Sequence, residues 1–174
     1  FRVDQSRGLH FIYALPFSNH HLLVESTMIS RSAQPESWYT DAIDAWLDDR
    51  GICMTEQLAL EVGCIPMDSV YPQDPRHAAI GAAGGALRRS SGYAFSYIQQ
   101  QTRQLAERIA SGHYEVPQPI SQQLLYMDRI FNRVLIEYPE LGVSLFMDMA
   151  AALSGEQFAR CMLGQASLMD WARV

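Results

Sequence analysis

In "LPFSNHHLLVEST", residues 15 to 27, one carboxylate, Glu25, interrupts an otherwise apolar run that reads as a β-strand. Side chains alternate along a strand, so Leu23 and Thr27 share the face of Glu25 while Val24 and Ser26 point the other way. If that face is buried, the carboxyl group loses hydration, favours its neutral form and is suited to act as a general acid. The plainer alternative is an edge-strand glutamate facing water. A second feature is glycine-rich. In "HAAIGAAGGALRRSSGY", residues 77 to 93, a short apolar strand breaks at Gly81, Gly84 and Gly85 and leads through Gly92 and Tyr93 into a helix. Such a turn lets backbone N–H groups approach a ligand and aims a positive helix end at an anion, although glycine turns of purely structural use are common. The spacing is not the G-x-G-x-x-G of a dinucleotide fingerprint, so the segment is not expected to hold a nucleotide cofactor alone. His20 and His21 adjoin the acid, but neighbouring strand residues face opposite ways. They are read as turn or surface residues, and no metal site is expected.

The elements that must position these residues can be read from periodicity. Residues 9 to 16 and 20 to 29 are two β-rich runs joined by Phe17-Ser18-Asn19, a hairpin. A helix opens at Gln34-Pro35-Glu36, turns Trp38, Ala42, Ile43, Trp46 and Leu47 inward, and stops at Gly51. Its outer face carries Asp41, Asp44, Asp48 and Asp49. Residues 58 to 67 alternate and predict a third strand, ended by Pro66. Helices are predicted over 92 to 111, 121 to 138, 140 to 153 and 155 to 163, with Ser121 and Ser154 as N-caps and Gln157 completing a capping box. Leu124, Met127, Ile130, Phe131, Val134 and Leu135 form the expected inner face of the tail. The predicted class is α+β: a small, mostly antiparallel sheet, a glycine-turn-helix unit and a C-terminal helical tail. The expected divisions are 1 to 76 (strands and helix), 77 to 112 (turn and helix) and 113 to 174 (tail).

Composition narrows the function. The 174 residues are 48% hydrophobic, enough to bury a core. Thirteen basic against 19 acidic residues give a net charge of −6, which argues against nucleic acid as a partner. Every basic residue is arginine, so Schiff-base and P-loop lysine chemistry are excluded within this segment. Cys53, Cys64 and Cys161 are odd in number and fall in no C-x-x-C spacing; neither a disulfide framework nor a zinc knuckle is suggested, and a reducing cytoplasm fits. No apolar run approaches the ~20 residues of a membrane-spanning helix. The chain begins at Phe1 and runs quickly into a strand, which suggests a piece of something longer.

Taken together, "FIYALPFSNHHLLVEST", then "CIPM", then "AIGAAGGALRRSSGY" resemble the lycopene cyclases, flavin-containing enzymes that form carotenoid rings. In that family a Y-x-[LM]-P-[FL]-S strand end precedes F-L-E-E-T or V-E-D-T, matched by Leu23-Val24-Glu25-Ser26-Thr27. Ile-Pro-Met follows, matched by Ile65-Pro66-Met67, and then a G-x-x-[AG]-G turn running through [ST]-[ST]-G-Y, matched by Gly81 to Gly85 and Ser90 to Tyr93. "MDRIFNRVLIEYPEL" looks like the family's C-terminal helices. Two departures stand out: Arg88-Arg89 replace the usual His-Pro, and Ser26 replaces the second acid of the motif.

The resemblance implies part of a larger FAD-binding fold whose dinucleotide-binding unit lies outside this chain. The isolated chain is therefore expected to be inactive. It implies carotenoid biosynthesis with lycopene as substrate, cyclised without net oxidation. Glu25 would be the proton donor, reduced FAD the electrostatic stabiliser, and NAD(P)H the reductant. Gly81, Gly84, Gly85, Gly92 and Tyr93 would approach the flavin, and Phe11, Tyr13 and Phe17 would offer aromatic faces to cationic substrate. The extra arginine at the turn would alter its shape or load it with positive charge. Five of the eight methionines lie from Met127 onward, and Leu141, Leu145, Met149 and Leu153 would suit peripheral membrane contact by a cytoplasmic protein. Competing readings are another FAD-dependent hydroxylase or prenyl reductase, and a non-catalytic isoprenoid-binding module.

Overall fold

A computed structural model describes residues 1–67 and 76–173. Strands β1 (Leu9–Pro16) and β2 (Leu22–Ile29) pair antiparallel, with Tyr13 opposite Glu25, Phe11 opposite Thr27 and Leu15 opposite Leu23. The connecting loop is closed by N–H donation from Phe17 and Ser18 to the His21 carbonyl, at 2.9 and 3.2 Å. Helix α1 (Glu36–Asp48) packs on β2. Leu47 is buried, while Trp38, Ala42, Ile43 and Trp46 are half-buried and the four aspartates face water, as the three-to-four spacing predicts. Beyond Asp48, Gly51 donates to the Asp48 carbonyl and Ile52 to that of Leu47, satisfying carbonyls the helix leaves open.

Residues 58 to 67 do not form the predicted strand. Leu58, Leu60 and Val62 alternate as a strand would, but all three are exposed; alternation supplies a face, and without a paired neighbour no ladder forms. Residues 77 to 80 are likewise irregular rather than a strand. Helix α2 runs Phe95–Ala110, α3 Gln122–Glu137, α4 Gly142–Ala152 and α5 Gly155–Met162, with a 3-10 turn over Pro139–Leu141. A short α6, Leu168–Trp171, was not expected; its cap Ser167 and Asp170 form a second capping box. The Ser154 box is present as predicted, and Ser121 Oγ accepts from the Leu124 N–H at 3.2 Å. Along α3, Leu124 and Leu135 are buried, whereas Ile130 is exposed rather than inward.

The chain forms two compact units. The first comprises Phe1–Cys64 with Leu135–Val143, the second Ile65–Val134 with Ser144–Val174. In the first, Leu9 is buried where Gly142 brings the start of α4 close to it beside Leu135. In the second, Ala86, Tyr97, Ile120 and Leu124 are the core, with Tyr93, Ile98, Leu125 and Trp171 packed around it. The described residues thus show an α+β chain with a two-stranded antiparallel sheet.

Candidate active site

Alternation and register place Phe11, Tyr13, Leu15, Leu23, Glu25 and Thr27 on one face of the hairpin. Burial falls off along it: Leu9 is 3% exposed, Phe11 half-buried, Tyr13 39% exposed and Leu15 47% exposed. Glu25 is the lone carboxylate on this apolar and aromatic surface, and in this chain it is exposed. Tyr13 Oη donates to Glu25 Oε2 at 2.6 Å, and Thr27 Oγ1 donates to Oε1 at 2.5 Å. The hydrogen bond to Glu25, with some desolvation, raises the Tyr13 phenol above its ordinary value. Of the three aromatic residues offered to substrate, Tyr13 touches Glu25 directly. Phe11 lies opposite Thr27 and packs edge-on against Phe1 at 5.6 Å, and Phe17 is in the loop, 74% exposed. His20 and His21 are exposed loop residues.

The opposite face is closed by α1. His10, 1% exposed, stacks on Trp38 with ring centroids 4.5 Å apart; its Nδ1 lies 3.2 Å from the Asp4 carbonyl and its Nε2 2.9 Å from Ser26 Oγ. Burial pushes the imidazole below its ordinary value, favouring the neutral ring. Ser26 therefore serves a buried histidine, on the side away from Glu25. Sequence reasoning overlooked His10, because a single histidine at a strand start carries no sign of burial.

The glycine turn lies in the second unit. Gly81 (φ +67°) and Gly85 (φ +86°) adopt left-handed backbone, and a Cβ on Gly84 would stand 2.3 Å from the Ala79 carbonyl oxygen. The turn is fastened by Gln101, wholly buried on α2, which accepts from the Gly81 N–H at 2.8 Å and donates to the carbonyls of Gly84 and Pro117 at 2.8 and 3.0 Å. The remaining glycine N–H groups are also engaged internally: Gly84 with Gly81 O at 3.0 Å, Gly85 with Ala82 O at 3.1 Å, Gly92 with Arg88 O at 2.8 Å. Tyr93 packs on the core beside Tyr97, and α2 begins only at Phe95. These residues do not fit a flavin cradle built from their own N–H groups.

Arg88 is not loose charge over the turn. It is 6% exposed, and its Nε donates to both Asp128 carboxylate oxygens at 2.8 Å while Nη1 donates to the Cys161 carbonyl at 2.7 Å. The Arg89 N–H adds a bond to Asp128 Oδ2 at 3.1 Å, and the Arg89 carbonyl accepts from Asn132 Nδ2 at 2.8 Å. In the helical tail, Leu141 is exposed, Leu145 and Met149 are half-buried, and Leu153 is buried. Among the described residues no helix is long and apolar enough to cross a membrane.

The hairpin thus presents one carboxyl group, held by two hydroxyl donors, on an apolar and aromatic face. Comparison with known proteins gives the family: residues 1–159 match the family described as lycopene cyclase protein, and the chain belongs to it. A relative is the chloroplastic neoxanthin synthase of Solanum tuberosum, 29% identical over 113 residues, which are 64% of this chain and 23% of that protein. The match thus spans about a quarter of the relative's length. No solved structure matches.

Proposed function

We propose that this chain carries the proton donor of an enzyme of carotenoid biosynthesis that closes ionone rings on lycopene without net oxidation. The observation that carries the reading is Glu25, alone among apolar and aromatic side chains and held by Tyr13 and Thr27. A protonated Glu25 adds its proton to a terminal alkene, the ring closes on the cation, and loss of a ring proton restores neutrality. The apolar surface suits a hydrocarbon chain, and Tyr13 and Phe11 offer π-faces to the developing cation, at about 0.5–2 kcal/mol each.

Reduced FAD, kept reduced by NAD(P)H, is the cofactor the family resemblance implies for the complete protein. Because the N–H groups of Gly81, Gly84, Gly85 and Gly92 are already engaged, its binding donors are proposed to come from sequence outside these 174 residues. The shielding of Glu25 from water is assigned to the same source. A cytoplasmic protein meeting the membrane peripherally would give an apolar substrate access to this face.

The test is Glu25→Gln in the complete protein, expressed in cells that accumulate lycopene. Cyclic carotenoid should fall by about 10²–10⁴-fold, the loss expected for a missing general acid. An ordinary yield from the variant would remove Glu25 from the chemistry. Stoichiometric consumption of nicotinamide per product would favour the hydroxylase or reductase alternative.

A further inference from the structure

We propose that Tyr13 and Thr27 form a hydroxyl clamp that stabilises the Glu25 carboxylate as it forms during proton donation; this rests on Glu25 being the proton donor. The two hydroxyls reach different oxygens of one carboxyl group, Tyr13 Oη at 2.6 Å from Oε2 and Thr27 Oγ1 at 2.5 Å from Oε1. Tyr13 comes from the partner strand at the directly opposed position, and Thr27 from two residues along the same strand, so the hairpin register itself fixes both donors. The second motif position cannot contribute, since Ser26 faces His10 on the far side of the sheet.

The clamp bears on the chemistry through charge development. When Glu25 protonates the alkene, its O–H bond breaks, a C–H bond forms, and negative charge appears on the carboxyl group while positive charge appears on carbon. Hydrogen bonds to an ionised acceptor are stronger than those to a neutral one, so both hydroxyl bonds tighten along this step and lower its barrier. After ring closure a ring proton returns to the carboxylate. Electrons and atoms balance with no oxidant, and the acid is regenerated. A hydroxyl can turn to accept as well as donate, so the carboxyl group keeps a partner whether or not it carries the proton. Tyr13 and Thr27 are positioning residues in this scheme, acting through Glu25.

The experiment compares Tyr13→Phe, Thr27→Val and Thr27→Ser with Glu25→Gln in the complete enzyme, using lycopene as substrate and following rate against pH. Tyr13→Phe should lower the maximal rate about 10- to 100-fold, the fold-change for one hydrogen bond to a charged group, with little change in KM. Because the lost donor favours the ionised carboxyl group, the falling alkaline limb of the profile should also move to higher pH. Thr27→Val should act in the same direction, and Thr27→Ser, which keeps the donor, should restore the parent behaviour. If Glu25→Gln abolishes cyclisation but Tyr13→Phe and Thr27→Val leave rate and limb unmoved, the clamp is refuted and the proton donor stands. If Glu25→Gln stays active, the proton-donor reading fails and the clamp with it. Should Tyr13→Phe lower the unfolding temperature, the Thr27 pair decides.

Discussion

The ion pair between Arg88 and Asp128 joins the end of the glycine turn to α3 with almost no water in reach: Arg88 is 6% exposed and Asp128 1%. Replacing Arg88 by Met keeps much of the apolar stem and removes Nε and Nη1, the donors to Asp128 and to the Cys161 carbonyl. Asp128 would then keep one backbone donor, the Arg89 N–H at 3.1 Å. Leaving one member of a buried pair uncompensated costs roughly 3–5 kcal/mol, set against a total of about 5–15 kcal/mol for a typical domain. With a urea slope of about 2 kcal/mol/M, the midpoint should fall by about 2 M. Equilibrium urea unfolding followed by far-ultraviolet circular dichroism reads this directly. The double variant Arg88→Met with Asp128→Leu removes both charges, and should be more stable than Arg88→Met alone, because mutual attraction only partly offsets the desolvation of the pair. A single Arg88→Met change costing under about 1 kcal/mol would refute the reasoning, as would a double variant whose loss equals the sum of the two single ones.

Two more perturbations test the packing. Gly84→Ala should destabilise strongly, since its Cβ would meet backbone atoms of Ala79 and Ile80 at 2.3 and 2.7 Å, whereas Gly51→Ala, with open space around a φ of +63°, should cost only about 1–2 kcal/mol of backbone strain; equal losses in thermal melts would show that the turn yields. Asp170, held well below the usual carboxylate range by hydrogen bonds from Arg160 and then from the Ser167 N–H, contributes stability that is present above about pH 4 and lost as pH falls toward its lowered value. The stability difference between parent and Asp170→Asn should be flat above about pH 5 and shrink below about pH 4; a gap that stays constant through that acid range would exclude this ionisation as its source.

What the sequence made legible was local. The spacing of Trp38, Ile43, Trp46 and Leu47 names the inner face of α1 because a helix makes its own hydrogen bonds and needs only one apolar stripe to dock. Ser154 and Gln157 likewise announce α5 from four residues. Residues 58 to 67 depart from their pattern for the opposite reason: a strand's hydrogen bonds belong to its neighbour, and Leu58, Leu60 and Val62 carry the alternation without one. Gln101 and Asp128 were illegible as core residues. Each is one polar letter in an amphipathic helix, and the partners that make burial tolerable, Gly81, Gly84, Pro117 and Arg88, lie elsewhere in the sequence.

The same distinction explains what could be read of the acid. Alternation alone separates Glu25 from Ser26, so the hydroxyl at the second motif position was never placed to share the work of the first; it satisfies buried His10, whose other ring nitrogen meets the Asp4 carbonyl. Support for Glu25 has to come from its own face, along the strand at Thr27 and across the ladder at Tyr13. The first is visible in the motif. The second depends on register, which the loop from Phe17 to His21 sets and which a slip of one residue would replace with Ile12 or Ala14, neither able to donate. A carboxylate interrupts an apolar strand here at the one position on its face where a phenol stands opposite and a hydroxyl two residues on, and the hairpin delivers both.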